Sequence, residues 1–294
     1  MIPLRKEDDS MKNKSKLPVD RKKIKLDIKK LTYYALIGVF ALVFLGSAIY
    51  IADYYIHSAE AGSDYNDLQN QLEQNKATLP PHTDPKPLPT DPVTGETIPT
   101  EPQILPEYLS FYEQNSDMVG WITIPDTKVN YPVLQTPNNK DYYLYRNFEK
   151  KWSDWGAIYA REVCDINLPS DNITLYGHHM TDGSMFAGLD KFKKEAFFKD
   201  HQTFTFDTLY EHHTYQIWAV FKTSANLDQG FPYHQFSDAA TQEEFDAFVS
   251  TVKSMQFYET GVTPQFGDKM IALSTCEYSL DNGRFVVCAV RVDD

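Results

Sequence analysis

A cysteine and an arginine near the C-terminus are the residues whose types and spacing are most suited to chemistry. Cys276 ends one apolar run, and Arg284, eight residues later, begins another. Both runs have the composition of buried strands, and the turn-forming residues 281–283 lie between them. In an antiparallel hairpin this spacing places the two side chains opposite each other. The permanently charged guanidinium would then favour the thiolate of Cys276, and a thiolate attacks carbonyl carbon atoms.

A histidine that follows a short strand is the third candidate. His178 comes directly after residues 173–177, which are typical of a strand that ends in a glycine. An imidazole at such a rim can protonate a leaving amine and later accept a proton from an incoming amine. Each residue alone is more often structural, since short motifs give many false matches. The three together predict catalysis by a cysteine nucleophile.

The N-terminal region indicates a membrane anchor. Residues 1–30 carry eleven Lys/Arg and five Asp/Glu, a net charge of +6, whereas the whole chain is −13 and the remainder is therefore −19. Residues 31–52 contain no charged side chain, and as a helix they would span roughly 33 Å, enough to cross a bilayer. The charge asymmetry predicts a cytoplasmic N-terminus. A signal peptide cleaved near residues 59–61 is the disfavoured alternative, because the apolar stretch is too long for one.

Composition excludes several other classes. The folded part is acidic and lacks a basic aromatic stripe, so no nucleic-acid partner is expected. No glycine-rich phosphate loop and no Cys/His spacing typical of zinc is present, so we predict no cofactor and no metal. Three cysteines do not make a disulfide framework. Cys164 and Cys288 are interpreted as structural, which leaves Cys276 as the reactive thiol.

Taken in order, these motifs resemble those of class B sortases, the cysteine transpeptidases of Gram-positive cell surfaces. The resemblance covers roughly residues 104–292. It rests on the matching segments 119–125, 129–133, 141–144, 174–186, 273–278 and 282–284.

The resemblance implies roles for individual residues. The catalytic residues would be Cys276 as nucleophile, His178 as acid and base, and Arg284 as the arginine that stabilises the oxyanion. Ser274 and Glu277 would line the peptide groove. His179 occupies a position that is often Asn in the family, so the choice of His178 rests on the Gly-His spacing.

Many short strand-like runs and few helices predict a closed, mostly β architecture. The runs are residues 119–124, 129–134, 156–160, 173–176, 203–206, 214–222, 269–276 and 284–292. Helices are expected at 105–115 and after the capping box at 241–244. The resemblance implies the eight-stranded sortase β-barrel. Residues 223–237 would either wall the groove or anchor a loop in the core, and the sequence leaves both readings open.

The predicted organisation has four parts: a basic cytoplasmic tail at 1–30, a transmembrane anchor at 31–52, an extracytoplasmic stalk and Pro-rich linker at 53–103, and the catalytic domain at 104–294. Residues 77–106 include nine prolines, which favour a semi-rigid extended segment. Within it, Asp91–Gly95 contains Pro-x-Thr-Gly, which suggests the hypothesis of a substrate-like lid.

The function implied by the resemblance is that of a membrane-anchored transpeptidase with an extracellular catalytic domain. It would cleave the C-terminal sorting signal of secreted surface proteins at a Thr carbonyl, form a thioester on Cys276, and transfer the protein to a peptidoglycan amine. The alternatives are a pilus-polymerising sortase that uses a pilin lysine, a surface cysteine hydrolase, and a non-catalytic adhesin.

Overall fold

The computed structural model describes residues 27–79, 102–226 and 228–292. The chain divides into two compact units, residues 1–55 and 56–294. In the first unit, the described residues form the N-terminal part of helix α1 (Ile28–Thr78), and their side chains are largely exposed. By length and composition, this helix could cross a membrane. The second unit contains the remainder of α1 and all the strands described below.

In chain order, the remaining helices are α2 (Pro106–Gln114), α3 (Glu195–Asp200) and α4 (Gln242–Met255). The strands are β1 (Met118–Thr123), β2 (Asn130–Leu134), β3 (Ile158–Ala160), β4 (Asn172–Tyr176), β5 (Thr203–Thr208), β6 (Thr214–Ser224), β7 (Met270–Glu277) and β8 (Gly283–Arg291). Short 3₁₀ helices cover Tyr142–Tyr145, Phe186–Lys193 and Tyr233–Gln235.

The eight strands close into a barrel in the order β1-β2-β3-β4-β7-β8-β6-β5. Two neighbouring pairs, β2·β3 and β4·β7, are parallel, and the other pairs are antiparallel. The predicted closed, mostly β fold of eight strands is therefore confirmed. Closure leaves no unpaired sheet edge, and the parallel pair β4·β7 brings together strands that are distant in sequence.

Helix α4 covers one side of the barrel and precedes β7, the strand that carries Cys276, in the chain. Its first turn is capped as the sequence predicts, because Oγ1 of Thr241 accepts a hydrogen bond from the Glu244 N–H at 3.3 Å. Phe245 and Val252 on its inner face are fully buried in a cluster that includes Trp218 of β6. The helix therefore supports the wall formed by β6, β7 and β8.

The C-terminal half of α1 packs against the barrel unit. Leu72 is 2% exposed and lies in one core cluster with Tyr108 and Phe111 of α2. Tyr65 is also buried, and its hydroxyl donates a hydrogen bond to the Gly156 carbonyl at 2.6 Å. The compact unit therefore begins at Ile56 and includes a helical segment that the sequence analysis assigned to the stalk. The contact residues Ala61, Tyr65, Leu68 and Leu72 recur every three or four residues on one helix face, and the positions between them are mostly polar.

Most of the Pro-rich segment lies outside the described residues, and so does Asp91–Gly95. The hypothesis that this stretch acts as a lid therefore stays a prediction.

Replacing Leu72 with alanine tests the packing of α1. We expect the free energy of unfolding to fall by roughly 2–4 kcal/mol, because the change leaves a cavity in a closely packed cluster. Thermal melting of the full chain in detergent micelles would measure the loss. Glu73→Ala is the matched control, since Glu73 is exposed on the same helix turn. Its replacement should leave the free energy of unfolding nearly unchanged. Equal melting temperatures for the two variants would contradict the packing.

Candidate active site

The two residues predicted on the C-terminal hairpin lie opposite each other. Cys276 of β7 and Arg284 of β8 are direct partners in the antiparallel register. In the connecting turn, Asn282 has a φ of 48°, a left-handed conformation that asparagine adopts more easily than most residues. Nη1 of Arg284 donates hydrogen bonds to the main-chain and side-chain oxygens of Asn282, at 3.2 and 3.1 Å. The turn thus orients one edge of the guanidinium.

The pairing of β4 with β7 brings His178 to the same end of the barrel. The last paired residues of these parallel strands are Tyr176 and Ser274. The N–H of Gly177, the next residue, donates to the Ser274 carbonyl at 3.2 Å. His178 and Cys276 each lie two residues beyond the last pair. The imidazole and the thiol come from two different parts of the chain, and the parallel register therefore places both at the same end of the barrel.

A main-chain carbonyl orients the His178 ring. Nε2 of His178 lies 2.7 Å from the carbonyl oxygen of Leu144. Because a carbonyl only accepts, Nε2 is the protonated nitrogen of this pair, and Nδ1 is left to exchange a proton with a substrate. The ring of Tyr145 packs beside the imidazole, with 5.5 Å between the ring centroids. The histidine thus has a defined orientation before any substrate binds.

His179 has different surroundings. Its Nε2 lies 3.0 Å from a carboxylate oxygen of Asp190, and its ring packs edge-on against Tyr278. His179 does not line the cavity that contains His178. The structure therefore separates the two neighbouring histidines and leaves His178 as the one with access to the thiol.

One cavity of about 410 Å³ joins the predicted catalytic groups. Its walls include Cys276, Arg284, His178 and Ser274, together with Tyr145 and Tyr233. Three larger cavities, of about 510, 500 and 420 Å³, lie elsewhere and contain no cysteine in their walls. The smallest of these four is the candidate active site, because it alone among them combines a thiol, an imidazole and a guanidinium.

Ser274 lies in the cavity wall and is almost fully buried. Its hydroxyl is 2.5 Å from the hydroxyl of Tyr233. Burial raises the pKa of Tyr233 to about 12, so this phenol remains protonated at neutral pH. Tyr233 belongs to the segment 223–237, for which the sequence left two readings open. Both apply, since Tyr233 lines the cavity while Phe231 and Phe236 pack against the α4 cluster.

Glu277 follows Cys276 in β7, but it is not one of the residues that line the cavity. Oε2 accepts hydrogen bonds from the N–H and hydroxyl of Ser279, and Oε1 lies 3.8 Å from Nζ of Lys193. Burial acts to raise the pKa of Glu277, but the Ser279 hydrogen bonds and the Lys193 charge outweigh it and lower that pKa. Consecutive residues in a strand point to opposite faces, which explains why Cys276 faces the cavity and Glu277 does not.

The other two cysteines lie in different environments from Cys276. Cys164 and Cys288 are buried, whereas Cys276 is partly exposed. Burial raises the pKa of Cys164 and of Cys288, which keeps both as thiols at neutral pH. Within residues 27–79, 102–226 and 228–292, no group of three or more His, Cys, Asp or Glu side chains is arranged to hold a metal ion.

Sequence reasoning did not assign a role to several groups around the thiol. The segment at 141–144 matched the family, but nothing in its side chains indicated that the Leu144 carbonyl would hold the histidine. Tyr145 was also missed as a cavity residue, whereas Tyr233 lies in the segment 223–237, for which a place in the groove wall was one of two open readings. Aromatic content alone does not distinguish a cavity wall from a core.

Known proteins match this chain over the same region. The family model for the sortase domain matches residues 122–292. Sortase B of Listeria monocytogenes is 32% identical over 187 residues, which is 63% of this chain and 74% of the relative. Sortase B of Staphylococcus aureus is 31% identical over 188 residues, with 63% and 75% covered.

Solved structures agree with these matches. The Staphylococcus aureus sortase B–substrate complex superposes with a TM-score of 0.67 at 25% identity, covering 81% of this chain and 99% of that one. Sortase B from Bacillus anthracis in complex with AAEK1 gives a TM-score of 0.65 at 29% identity, with 82% and 100% covered. The paired strands, the cavity that holds a thiol and an imidazole, and these similarities agree: the chain belongs to the sortase family of cysteine transpeptidases, and within it to class B.

Proposed function

We propose that this sortase cleaves the C-terminal sorting signal of secreted surface proteins and transfers each protein to an amine of the peptidoglycan. The observation that carries the proposal is the single cavity shared by Cys276, His178 and Arg284. A cysteine nucleophile, an acid–base group and a fixed positive charge are the groups that acyl transfer requires. No further group is needed for either half of the reaction.

The first half-reaction forms an acyl-enzyme. The thiolate of Cys276 attacks the threonine carbonyl of the sorting signal, and Arg284 stabilises the negative charge that develops on the oxygen. The intermediate collapses with loss of the C–N bond, and the imidazolium of His178 protonates the departing amine. The products are a thioester on Cys276 and a free C-terminal fragment.

The second half-reaction releases the thioester. An amine of the peptidoglycan attacks the thioester carbonyl while neutral His178 removes its proton, and the C–S bond breaks to regenerate the thiolate.

Ser274 is proposed to contact the bound peptide, because its position in the cavity wall is fixed by the Tyr233 hydroxyl. Glu277 is also retained as a proposed substrate-binding residue. Since its carboxylate faces away from the cavity, it would contact only a part of the peptide that extends beyond the cavity.

The N-terminal region supports a location at the cell membrane. Helix α1 contains an apolar stretch long enough to cross the bilayer, and residues 1–30 have a net charge of +6. We propose a single crossing at residues 31–52, with the basic tail in the cytoplasm and the catalytic unit outside.

Selective alkylation tests the assignment of the nucleophile. Brief treatment of the full chain with iodoacetamide at neutral pH should modify Cys276, because Cys164 and Cys288 are buried and protonated. Peptide mass spectrometry would locate the adduct. The Cys276→Ala variant should take up no label under the same conditions. Equal labelling of all three cysteines would rule out a distinct microenvironment for Cys276.

A transfer assay tests the reaction itself. Incubation with a library of sorting peptides and an amine acceptor should give an acyl adduct on Cys276 and then a peptide–amine product. Cys276→Ala should abolish both, and His178→Ala should reduce turnover by at least roughly 10²-fold, as expected for loss of a general acid–base group. Cys164→Ala is the control that should retain activity. A hydrolysis product that added amine never diverts would instead indicate a hydrolase.

The geometry of Arg284 predicts that lysine cannot replace it. Arg284→Lys keeps the charge but loses the planar fork that reaches Asn282 and an oxyanion together, so kcat should fall by roughly 10–10²-fold. Arg146→Lys is the control, because Arg146 stacks on Tyr142 and does not line the cavity. Wild-type kcat in Arg284→Lys would show that charge alone is sufficient.

A further inference from the structure

We propose that residues 56–78 of helix α1 position the catalytic histidine through two connections, one to Asp182 and one to the Leu144 carbonyl. The inference rests on the proposed role of His178 and adds a supporting element to it. The helix segment that leaves the apolar stretch would then act as part of the catalytic apparatus.

The first connection runs through Asp182, in the loop that carries His178. Oδ1 of Asp182 accepts hydrogen bonds from the N–H and hydroxyl of Ser184, at 2.9 and 2.5 Å, which closes the loop on itself. Oδ2 accepts from the hydroxyl of Ser58 in α1 at 2.8 Å and from Nε1 of Trp155 at 3.1 Å. One carboxylate therefore ties the histidine loop to the helix.

The charge state of Asp182 suits this role. Burial acts to raise its pKa, but the hydrogen bonds from Ser184, Ser58 and Trp155 outweigh burial and hold the pKa below its usual value. A carboxyl whose pKa is lower in the folded state contributes stability above its unfolded pKa of about 3.9, and that contribution is lost only as the pH falls through the folded value. The connection is therefore intact at neutral pH.

The second connection runs through the carbonyl that holds the imidazole. Leu144 accepts the hydrogen bond from Nε2 of His178. The backbone of Gly156 lies directly against this carbonyl, since a Cβ at Gly156 would come within 2.3 Å of the Leu144 oxygen. The Gly156 carbonyl in turn accepts the 2.6 Å hydrogen bond from the buried hydroxyl of Tyr65 in α1. Tyr65 thus fixes the peptide that supports the acceptor of His178.

The two connections are joined to each other at both ends. Ser58 and Tyr65 are seven residues apart, about two helical turns, and therefore lie on one face of α1. Their targets are also linked, because Trp155 bonds to Asp182 and the next residue, Gly156, bonds to Tyr65. Movement of this helix face would be transmitted to both sides of the histidine.

Ordinary helix docking is the competing explanation, and the chain provides a control for it. Asn75, further along the same helix, donates hydrogen bonds to the Glu107 carbonyl at 2.8 Å and to Oγ of Ser110 at 3.0 Å. Both acceptors belong to α2, and none of the hydrogen bonds that make up the two connections involves a residue of α2. Asn75→Ala therefore weakens docking without touching either connection.

The test compares two variants of the full chain in detergent micelles. Ser58→Ala combined with Tyr65→Phe removes both connecting hydroxyls and leaves the tyrosine ring in place. We expect kcat for cleavage of a sorting peptide to fall by roughly tenfold, because a displaced catalytic group lowers the rate steeply. KM should change less than twofold, because the cavity walls remain. Asn75→Ala should keep wild-type kcat, and circular dichroism would verify that each variant is folded.

Hydrogen–deuterium exchange gives a readout that does not depend on activity. Amides of residues 177–186 should exchange faster in the double variant than in Asn75→Ala, since the loop loses its tie to α1. If folding of the double variant is impaired, Tyr65→Phe alone should show the same changes to a smaller extent. Unchanged kcat and unchanged loop exchange, or equal losses in the double variant and Asn75→Ala, would overturn the proposal.

If the proposed catalytic role of His178 is wrong, the variants give a different result. His178→Ala would then keep its transfer activity, whatever the exchange of the loop in the double variant. Loss of activity in His178→Ala together with a normal double variant would reject only the positioning role of α1.

Discussion

The parallel pairing of β4 with β7 is the constraint on which the rest of the site depends. Both strands are buried along almost their whole length, as is typical of parallel strands that are covered on both faces. A shift of register by one residue would exchange the side chains that pack on the two covered faces, so the pairing is strongly determined. With the register set, His178 and Cys276 emerge together, and β8 adds Arg284 opposite the thiol.

Close packing at two glycines, Gly177 and Gly156, helps to fix the position of the His178 imidazole. At Gly177, a Cβ would lie 2.5 Å from a side-chain atom of Ile158 and 2.8 Å from the ring of Phe186, so a larger residue would have to displace both side chains. At Gly156, a Cβ would lie 2.3 Å from the carbonyl oxygen of Leu144, and the φ of this glycine is 58°. The orientation of His178 is thus set largely by main-chain groups, with the acceptor carbonyl supplied by another segment.

Periodicity and motif order were sufficient to predict the barrel strands, because each strand has a short apolar run bounded by turn residues. The opposition of Cys276 and Arg284 followed from hairpin geometry alone. The contribution of α1 could not be predicted in this way. Its contacts come from Ala61, Tyr65, Leu68 and Leu72, which recur at helical spacing in the polar C-terminal part of the helix. Four apolar positions among polar residues do not distinguish a docked helix from a stalk. The role of the Leu144 carbonyl could not be predicted either, since every residue type has a main-chain carbonyl.

The separation between the two catalytic strands also affects how the enzyme becomes active. About 98 residues separate Thr275 from the Gly177 carbonyl that it contacts, so this contact forms only after a long loop has closed. Until the last hairpin of the barrel has joined β4, Cys276 lacks the imidazole, even where the hairpin already places Arg284 opposite the thiol. Acyl transfer is therefore coupled to completion of folding, and a newly synthesised chain cannot acylate itself before its barrel has closed.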